Sequence, residues 1–476
     1  MSTPEALFRN AIDLNRYSNS VARRLINAYN DIILDAVDQL RAIDELAAPV
    51  KAARLRAIIA QLRDSLSSWA GDATELTAIE LQGLAELQSE FVAEQLRQVL
   101  PAGVRDAVRT VEISPQFAQS VVTTDPTQIN VVALSDDLYK SVYGTEALAR
   151  QAGAGVFNLT AAQGTMITLP NGEIVRKAFR GIAVDQAERF SQVVRNGLLT
   201  GEPTPAIAKR LKGTLQRSGD RLQFGEPAIT AGQRRAAGIK DTVARGGDAT
   251  RMADNQILTL VRTSVNQVAN AASQQVYEAN QDITRKYRYV ATLDSRTSAI
   301  CRALDGKVFD YGKGPTPPQH FSCRSTTVPV IDYKQLSEDF GFEVTPPPAG
   351  RRAAAGGPVP ADMTYGEWLA TPRPAESSAD HTLRKARAFG FTGERRKYQR
   401  SDQEVKDGKA KAGEFKESQD EFMQRLRKSG AYEQSKYFDQ LSRKHGPQAA
   451  IAKLVRDDGR ELTLTELRKR YGNTKP

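Results

Sequence analysis

Between Arg16 and Pro101 apolar residues recur every three to four positions. The series runs Leu25, Tyr29, Ile32, Ala36, Leu40 and Ile43, then Leu55, Ile58, Ile59, Leu62, Leu66 and Trp69, then Leu76, Ile79, Leu84, Leu87 and Phe91. That period predicts three amphipathic helices. Stops are expected at Ala48-Pro49, at Gly71-Asp72 and at Pro101, where a proline ring or a glycine disfavours helix continuation. Asp72 three residues ahead of Glu75 adds a capping arrangement. Helices of about 20 residues reach about 30 Å, so this part reads as an elongated hairpin or bundle.

Downstream the period changes. Val104–Ile113, Gln128–Leu134 and Thr165–Leu169 are short β-favouring stretches among short helical ones, and Pro170-Asn171-Gly172 has hairpin-turn residues. Ala183–Leu199 returns to helical spacing, and Gly201-Glu202-Pro203-Thr204 introduces a short helix reaching Leu211. Residues 212–247, rich in Gly, Arg and Gln, predict a long loop or arm. Asp254 then caps a helix whose inward face is Ile257, Val261, Val265, Val268, Ala272 and Val276, ending near Asn280-Gln281-Asp282. Alternation over Tyr287–Leu293 and Ser325–Val330 predicts two strands, with a polar excursion rich in Gly and Pro between them.

From Pro346 to Pro374 the Pro, Gly and Ala content predicts a flexible linker without a core of its own, holding Tyr365-Gly366-Glu367-Trp368-Leu369 as a small hydrophobic anchor. Beyond Ser378 the chain is polar and basic, with helical periodicity over Glu414–Lys428 and a last helix announced by Thr463 and Glu466. The expected class is therefore α+β in four regions. These are a helical hairpin or bundle at 1–104, a small α/β core with a Cys/His-bearing β-hairpin excursion at 105–338, the linker at 339–379, and a basic, largely helical tail at 380–476.

A length of 476 residues, about three times one folding unit, suits that division. No run of about 18 apolar residues occurs, so no membrane span is expected. The start, MSTPEALFRN, lacks a signal-peptide pattern and a second-position glycine for myristoylation, which places the expected beginnings in a cytoplasm with reduced thiols. The net charge is +10, and roughly nine of those ten charges follow Pro346. Such asymmetry points that part at an acidic partner, nucleic acid or an acidic protein surface. Arg395, Arg396, Lys397 and Arg400 around Tyr398 are the candidate phosphate contacts; interspersed Glu and Asp leave a merely solvated basic face as the other reading.

Both cysteines and one of three histidines fall within the excursion, as Cys301, His320 and Cys323. His-x-x-Cys is a chelating spacing, Cys301 comes from the other arm, and Asp294 or Asp305 is available as a fourth ligand, so a structural zinc is one reading. Buried thiols and imidazole in hydrogen-bonded roles, and a Cys301–Cys323 disulfide, are the others. A thiolate beside an imidazole is also how cysteine nucleophiles are activated, which keeps a Cys/His or metal-dependent hydrolase as the enzymatic alternative. No phosphate-binding GxxxxGK[ST], HExxH or GxSxG pattern is present. Asp294-Ser295-Arg296-Thr297 and Arg324-Ser325-Thr326 supply an Asx turn and a bidentate arginine for a carboxylate.

This stretch resembles the phage Mu F-like head morphogenesis family, minor capsid proteins marked by a helix, a strand ending in Leu-Asp-x-Arg-Thr, a Cys, Leu-x-Gly, Pro-Pro-x-His and Cys-Arg before a last strand. Here these are Leu293-Asp294-Ser295-Arg296-Thr297, Cys301, Leu304-Asp305-Gly306, Pro317-Pro318-Gln319-His320 and Cys323-Arg324, with Arg262-Thr263 on the preceding helix. The resemblance is firm over about 251–330 and makes Asp294, Arg296, Thr297, Gly306, Pro318, Arg324 and Arg262 motif residues. Many members carry further cysteines where this chain has Ser298 and Ser325, which departs from a four-ligand zinc set. The basic stretch of about 376–430 looks inserted, with no task implied by the family. What the resemblance implies is a structural virion protein and not an enzyme. It would be made in the host cytoplasm, built in few copies into the head near the portal vertex, and in contact with portal, coat or scaffold proteins and with packaged DNA.

Overall fold

The computed structural model describes residues 3–43, 48–115, 117, 158–159, 165–166, 173–199, 202–212, 246–320, 322–348, 350–374, 376–394, 397–399, 414–456 and 459–474. Two long helices, α1 (Thr3–Arg41) and α2 (Ala48–Val99), form the expected hairpin, but as two helices and not three. α2 passes through Gly71 and Asp72 unbroken, so the Asp72 and Glu75 capping arrangement does not exist. The reason is burial: Trp69, Ala70 and Ala73 are all in the core. Breaking the helix there would expose them, against about 1 kcal/mol for a helical glycine relative to alanine.

A short α3 (Ala102–Arg105) follows. Val104–Ile113 forms no strand; Val104 and Val108 instead plug into a core beside Val92 and Leu96 of α2. β1 (Asn158–Leu159) and β2 (Thr165–Met166) pair antiparallel. Gln128–Leu134, the turn at 170–172 and nearly all of the expected arm at 212–247 lie outside the described residues.

α4 (Glu173–Leu199), α5 (Thr204–Lys212) and α6 (Gly246–Ala279) pack with α1 and α2 around one core. At its centre Trp69 meets Tyr29 and Phe179 edge-on, with centroids 5.3 and 5.6 Å away, and its indole N–H donates to Leu25 O. Ile257, Val261, Val265, Val268, Ala272 and Val276 of α6 are all buried. Asp254, expected as a cap, lies inside α6 eight residues past its start, on the buried face beside Asn30. No helix among the described residues is long and apolar enough to cross a membrane.

The sheet has three antiparallel strands in the order β4-β3-β5, with β3 (Thr284–Val290) central between β4 (Val308–Asp310) and β5 (Thr326–Ile331). Tyr287 of β3 faces Phe309 on one side and Pro329 on the other. Between β3 and β4 sits α7 (Ala299–Leu304), capped by the Ser298 side chain and buried along Ile300 to Leu304. α8 (Tyr333–Phe340), capped by Asp332, closes this part.

The stretch read as a coreless linker is built into a folded unit. β6 (Arg351–Arg352) pairs with β7 (Val359–Pro360), and α9 (Tyr365–Ala370) starts with a Thr364/Glu367 capping box. Tyr365, Trp368 and Leu369 join α10 (Ser378–Ala388), α12 (Gly430–His445), α13 (Pro447–Lys453) and α14 (Leu464–Tyr471) in a common core. Composition misled because this unit's apolar residues are spread over some hundred positions and no local window contains them. β8 (Lys397–Gln399) pairs with β9 (Glu414–Lys416), and α11 (Gln419–Arg427) begins at a Ser418/Glu421 capping box, so the helical period assigned from Glu414 starts later. The Thr463/Glu466 box is present as expected.

Candidate metal centre

Cys301 is held on the inner face of α7, and Cys323 and His320 come from the other arm of the excursion, just ahead of β5. The ligand atoms of these three residues all lie within 4.8 Å of one another. Both cysteines are free thiols and nearly inaccessible (1% and 3% exposed), whereas His320 is half-buried. Their sulfurs stand 3.7 Å apart, and the Tyr289 hydroxyl touches the Cys301 sulfur at 3.2 Å.

That spacing has a chemical meaning. Two thiolates on a tetrahedral zinc, each about 2.3 Å from the metal, sit about 3.8 Å apart. The electrostatics divide the pair. Burial resists ionising Cys323, yet the Cys301 thiol, the His320 imidazole and the Gln319 backbone N–H together hold it well below the usual thiol range. Cys301 is pushed well up by burial and by its neighbour Cys323, with the hydroxyls of Ser298 and Ser325 acting the other way. One sulfur is thus ready as a thiolate beside an imidazole, and a divalent soft cation would bring the second into the same state. Ser298 and Ser325 both act on Cys301, so their side chains stand against the same cluster.

Neither aspartate completes the set. Asp294 is gripped by Arg324 through two bonds of 2.5 and 2.9 Å, and it accepts the Arg296 backbone N–H and the Thr297 hydroxyl. Those partners keep its carboxyl below the ordinary range in spite of burial. A carboxylate so committed is a loop lock and not a ligand, which corrects its expected place in the zinc shell. Asp305 is fully buried and accepts from the backbone N–H groups of Ala291 and Tyr365 and from the Arg352 guanidinium. Among the described residues, no fourth Cys, His or acid reaches the cluster.

The other motif residues frame it. Gly306 sits at φ 79 directly after α7 and donates to Tyr289 O, closing the turn from α7 into β4. Pro318 is buried in the arm that carries His320 and follows a cis peptide bond. Arg262 of α6 donates to Asn19 of α1 and lies near Arg324 and Arg296; burial and those two cations lower its pKa. Arg296 itself is exposed.

One set of residues, apart from the Thr263 already named in the motif, escaped the sequence reading. Thr263, Asn266, Asn270, Gln274 and Tyr277 form a polar line along α6 that holds the loop and β5. Thr263 accepts from Ser322 N, Asn266 donates to Ser325 O, Asn270 accepts from Thr327 N, and Gln274 and Tyr277 donate to the Thr327 hydroxyl and carbonyl. These bonds serve the otherwise open edge of β5. Their signal was recurrence of amide and hydroxyl residues at helical spacing beside the apolar face. Of the expected phosphate contacts, Arg395, Arg396 and Arg400 and the side chain of Lys397 lie outside the described residues.

This frame of α4 to α6, the three strands and the Cys/His loop coincides with a family match: residues 188–328 fit the family described as phage Mu protein F like protein. This segment of the chain is similar to the phage Mu F-like family. The matched segment begins in α4, well upstream of the stretch in which the motifs stand, and is under a third of the 476 residues. The likeness is to a family of phage head morphogenesis proteins. No curated protein and no solved structure matches the chain.

Proposed function

We propose that this Mu F-like protein is a minor head protein of a tailed bacteriophage, a structural component built into the head beside the portal vertex, present in few copies and in contact with portal, coat or scaffold proteins and with packaged DNA. The observation that carries the reading is the coincidence of the family segment with the α6-braced Cys/His loop. The long α1 and α2 hairpin offers extended helical surface to a protein partner, and the excess positive charge after Pro346 suits DNA. A structural zinc on Cys301, Cys323 and His320 is part of this proposal: it would pin the two arms of a loop with little core of its own.

The hydrolase alternative has one point in its favour, the acidic Cys323 thiol beside His320. Against it, both sulfurs are nearly inaccessible and share an apolar cluster with Tyr289, Ile300 and Leu304, which among the described residues shields them from a substrate carbonyl. Quantitative mass spectrometry of gradient-purified heads tests the structural reading. Expected are a few copies per particle in mature heads and in procapsids, and heads that fail to form or to fill in a null mutant. Absence from both particles, or normal filled heads without the protein, contradicts it.

A further inference from the structure

The charge excess after Pro346 becomes specific once ion pairs are assigned. In the unit formed by α12, α13 and α14, every described acid already has a cation: Glu433 holds Arg468, Asp439 holds Lys385, Glu461 holds Arg302 and Glu466 holds Arg456. Asp457 and Asp458 lie outside the described residues. Arg443, Lys444, Lys453, Lys469 and Arg470 are exposed and have no carboxylate within ion-pair distance among the described residues.

These cations stand on helix ends that the fold gathers together. The Tyr471 hydroxyl donates to Lys453 O at 3.1 Å, which sets the last turn of α14 against the last turn of α13. The Tyr437 hydroxyl donates to Gly472 O at 2.6 Å and ties the same turn to α12. His445, at the end of α12, is fully exposed, yet slight desolvation and the ammonium groups of Lys453 and Lys444 hold its pKa below the ordinary value, which requires both lysines nearby. The surface is also free of apolar anchors: the large exposed hydrophobics of the described chain all precede residue 343. A protein partner needs such an apolar centre, whereas a polyanion whose charge resides in phosphates needs only cations.

We infer that the ends of α12, α13 and α14 form a docking surface for the phosphate backbone of duplex DNA, with Lys444, Lys453, Lys469 and Arg470 as its contacts. The inference rests on the DNA contact within the proposed function and moves that contact from the 395–400 stretch to a folded surface. Contacts of this kind read backbone charge and carry no sequence preference.

The test is binding of the full-length protein to a mixed-sequence duplex of about 20 base pairs across a salt series. The parent should bind with a steep salt dependence. A variant combining Lys444→Gln, Lys453→Gln, Lys469→Gln and Arg470→Gln should bind about tenfold or more weakly near 0.1 M salt, with a slope shallower by about 3 to 4. A control that neutralises the exposed Arg23, Arg56, Arg195 and Lys209 elsewhere should bind like the parent. Circular dichroism and Tm confirm that the folds match. A parent that binds no DNA overturns the DNA contact itself. A parent that binds, with the four-site variant unchanged, overturns the assignment of the surface alone. Equal binding of polyglutamate and duplex would make the partner an acidic polypeptide and overturn the phosphate reading.

Discussion

At the scale of single residues the most consequential group in the bundle is Asp254. It lies on the buried face of α6 and, among the described residues, has one hydrogen bond, from the Asn30 amide at 3.3 Å, while the Tyr29 hydroxyl and the Asn30 carbonyl oxygen close by have no partner among them. Burial pushes its pKa up to about 7 from an ordinary 3.8, the Asn30 bond opposing only in part. The folded chain therefore keeps a proton that the unfolded chain has already released. Stability is undiminished below about pH 4, falls as pH rises toward 7, then levels off, the full loss being roughly 4 kcal/mol. Asp254→Asn removes the titration and supplies an amide that can donate to Asn30. We expect the variant to melt above the parent at pH 8 and with it at pH 4. Urea or thermal unfolding of both proteins at half-unit steps of pH checks this, and a parent that gains stability relative to the variant between pH 5 and 7.5 would refute the assignment.

Elements show how far local sequence carries. The inward face of α6 was legible because one face of a buried helix repeats every three to four residues, and the Cys/His loop was legible because scarce residue types gathered there. What was hidden depended on distant partners: α2 continues through Gly71 because Trp69 packs on Tyr29 and Phe179, forty and more residues away in sequence. Asp294 looked like a ligand until Arg324, thirty residues on, was seen to hold it. The fate of 351–370 was set by helices after 430. Two glycines make the contrast measurable. A Cβ on Gly71 would meet nothing, so Gly71→Ala should stabilise α2 by about 0.5–1 kcal/mol, read as a rise in Tm. A Cβ on Gly366 would stand 2.4 Å from the Pro447 backbone, which has no rotamer to yield. Gly366→Ala should therefore separate α9 from α13 and cost about 1–3 kcal/mol or more. A Gly366→Ala protein that melts like the parent would show that this contact is not close in solution.

For the whole molecule the joint is α7, whose two faces serve different masters. Cys301 looks inward to the candidate metal centre, while the next residue looks out to the C-terminal unit. Arg302, 6% exposed, donates to Ala388 O at 2.9 Å, pairs with Glu461, and lies between the rings of Tyr365 and Phe389. Gln448 of α13 reinforces the grip by donating to Arg302 O and Asp305 O while accepting from Gly366 N. Asp305 then joins Arg352 to the Ala291 and Tyr365 backbone, so both ends of α7 are fastened to the segment that composition suggested would be loose. Taking away the Arg302 side chain strands the Glu461 carboxylate and the Ala388 carbonyl at a buried joint, a loss of about 3–5 kcal/mol concentrated there. Among the described residues the helical bundle shares no core with that joint and should not feel it. We therefore expect Arg302→Ala to keep the parent's bundle melting transition while 346–374 becomes cleavable by trypsin and the radius of gyration grows. Limited proteolysis with mass mapping and small-angle scattering read both effects. A variant whose fragments and scattering match the parent's would mean that the C-terminal unit is held by its apolar contacts alone, and that the buried polar network at α7 sets orientation without setting strength.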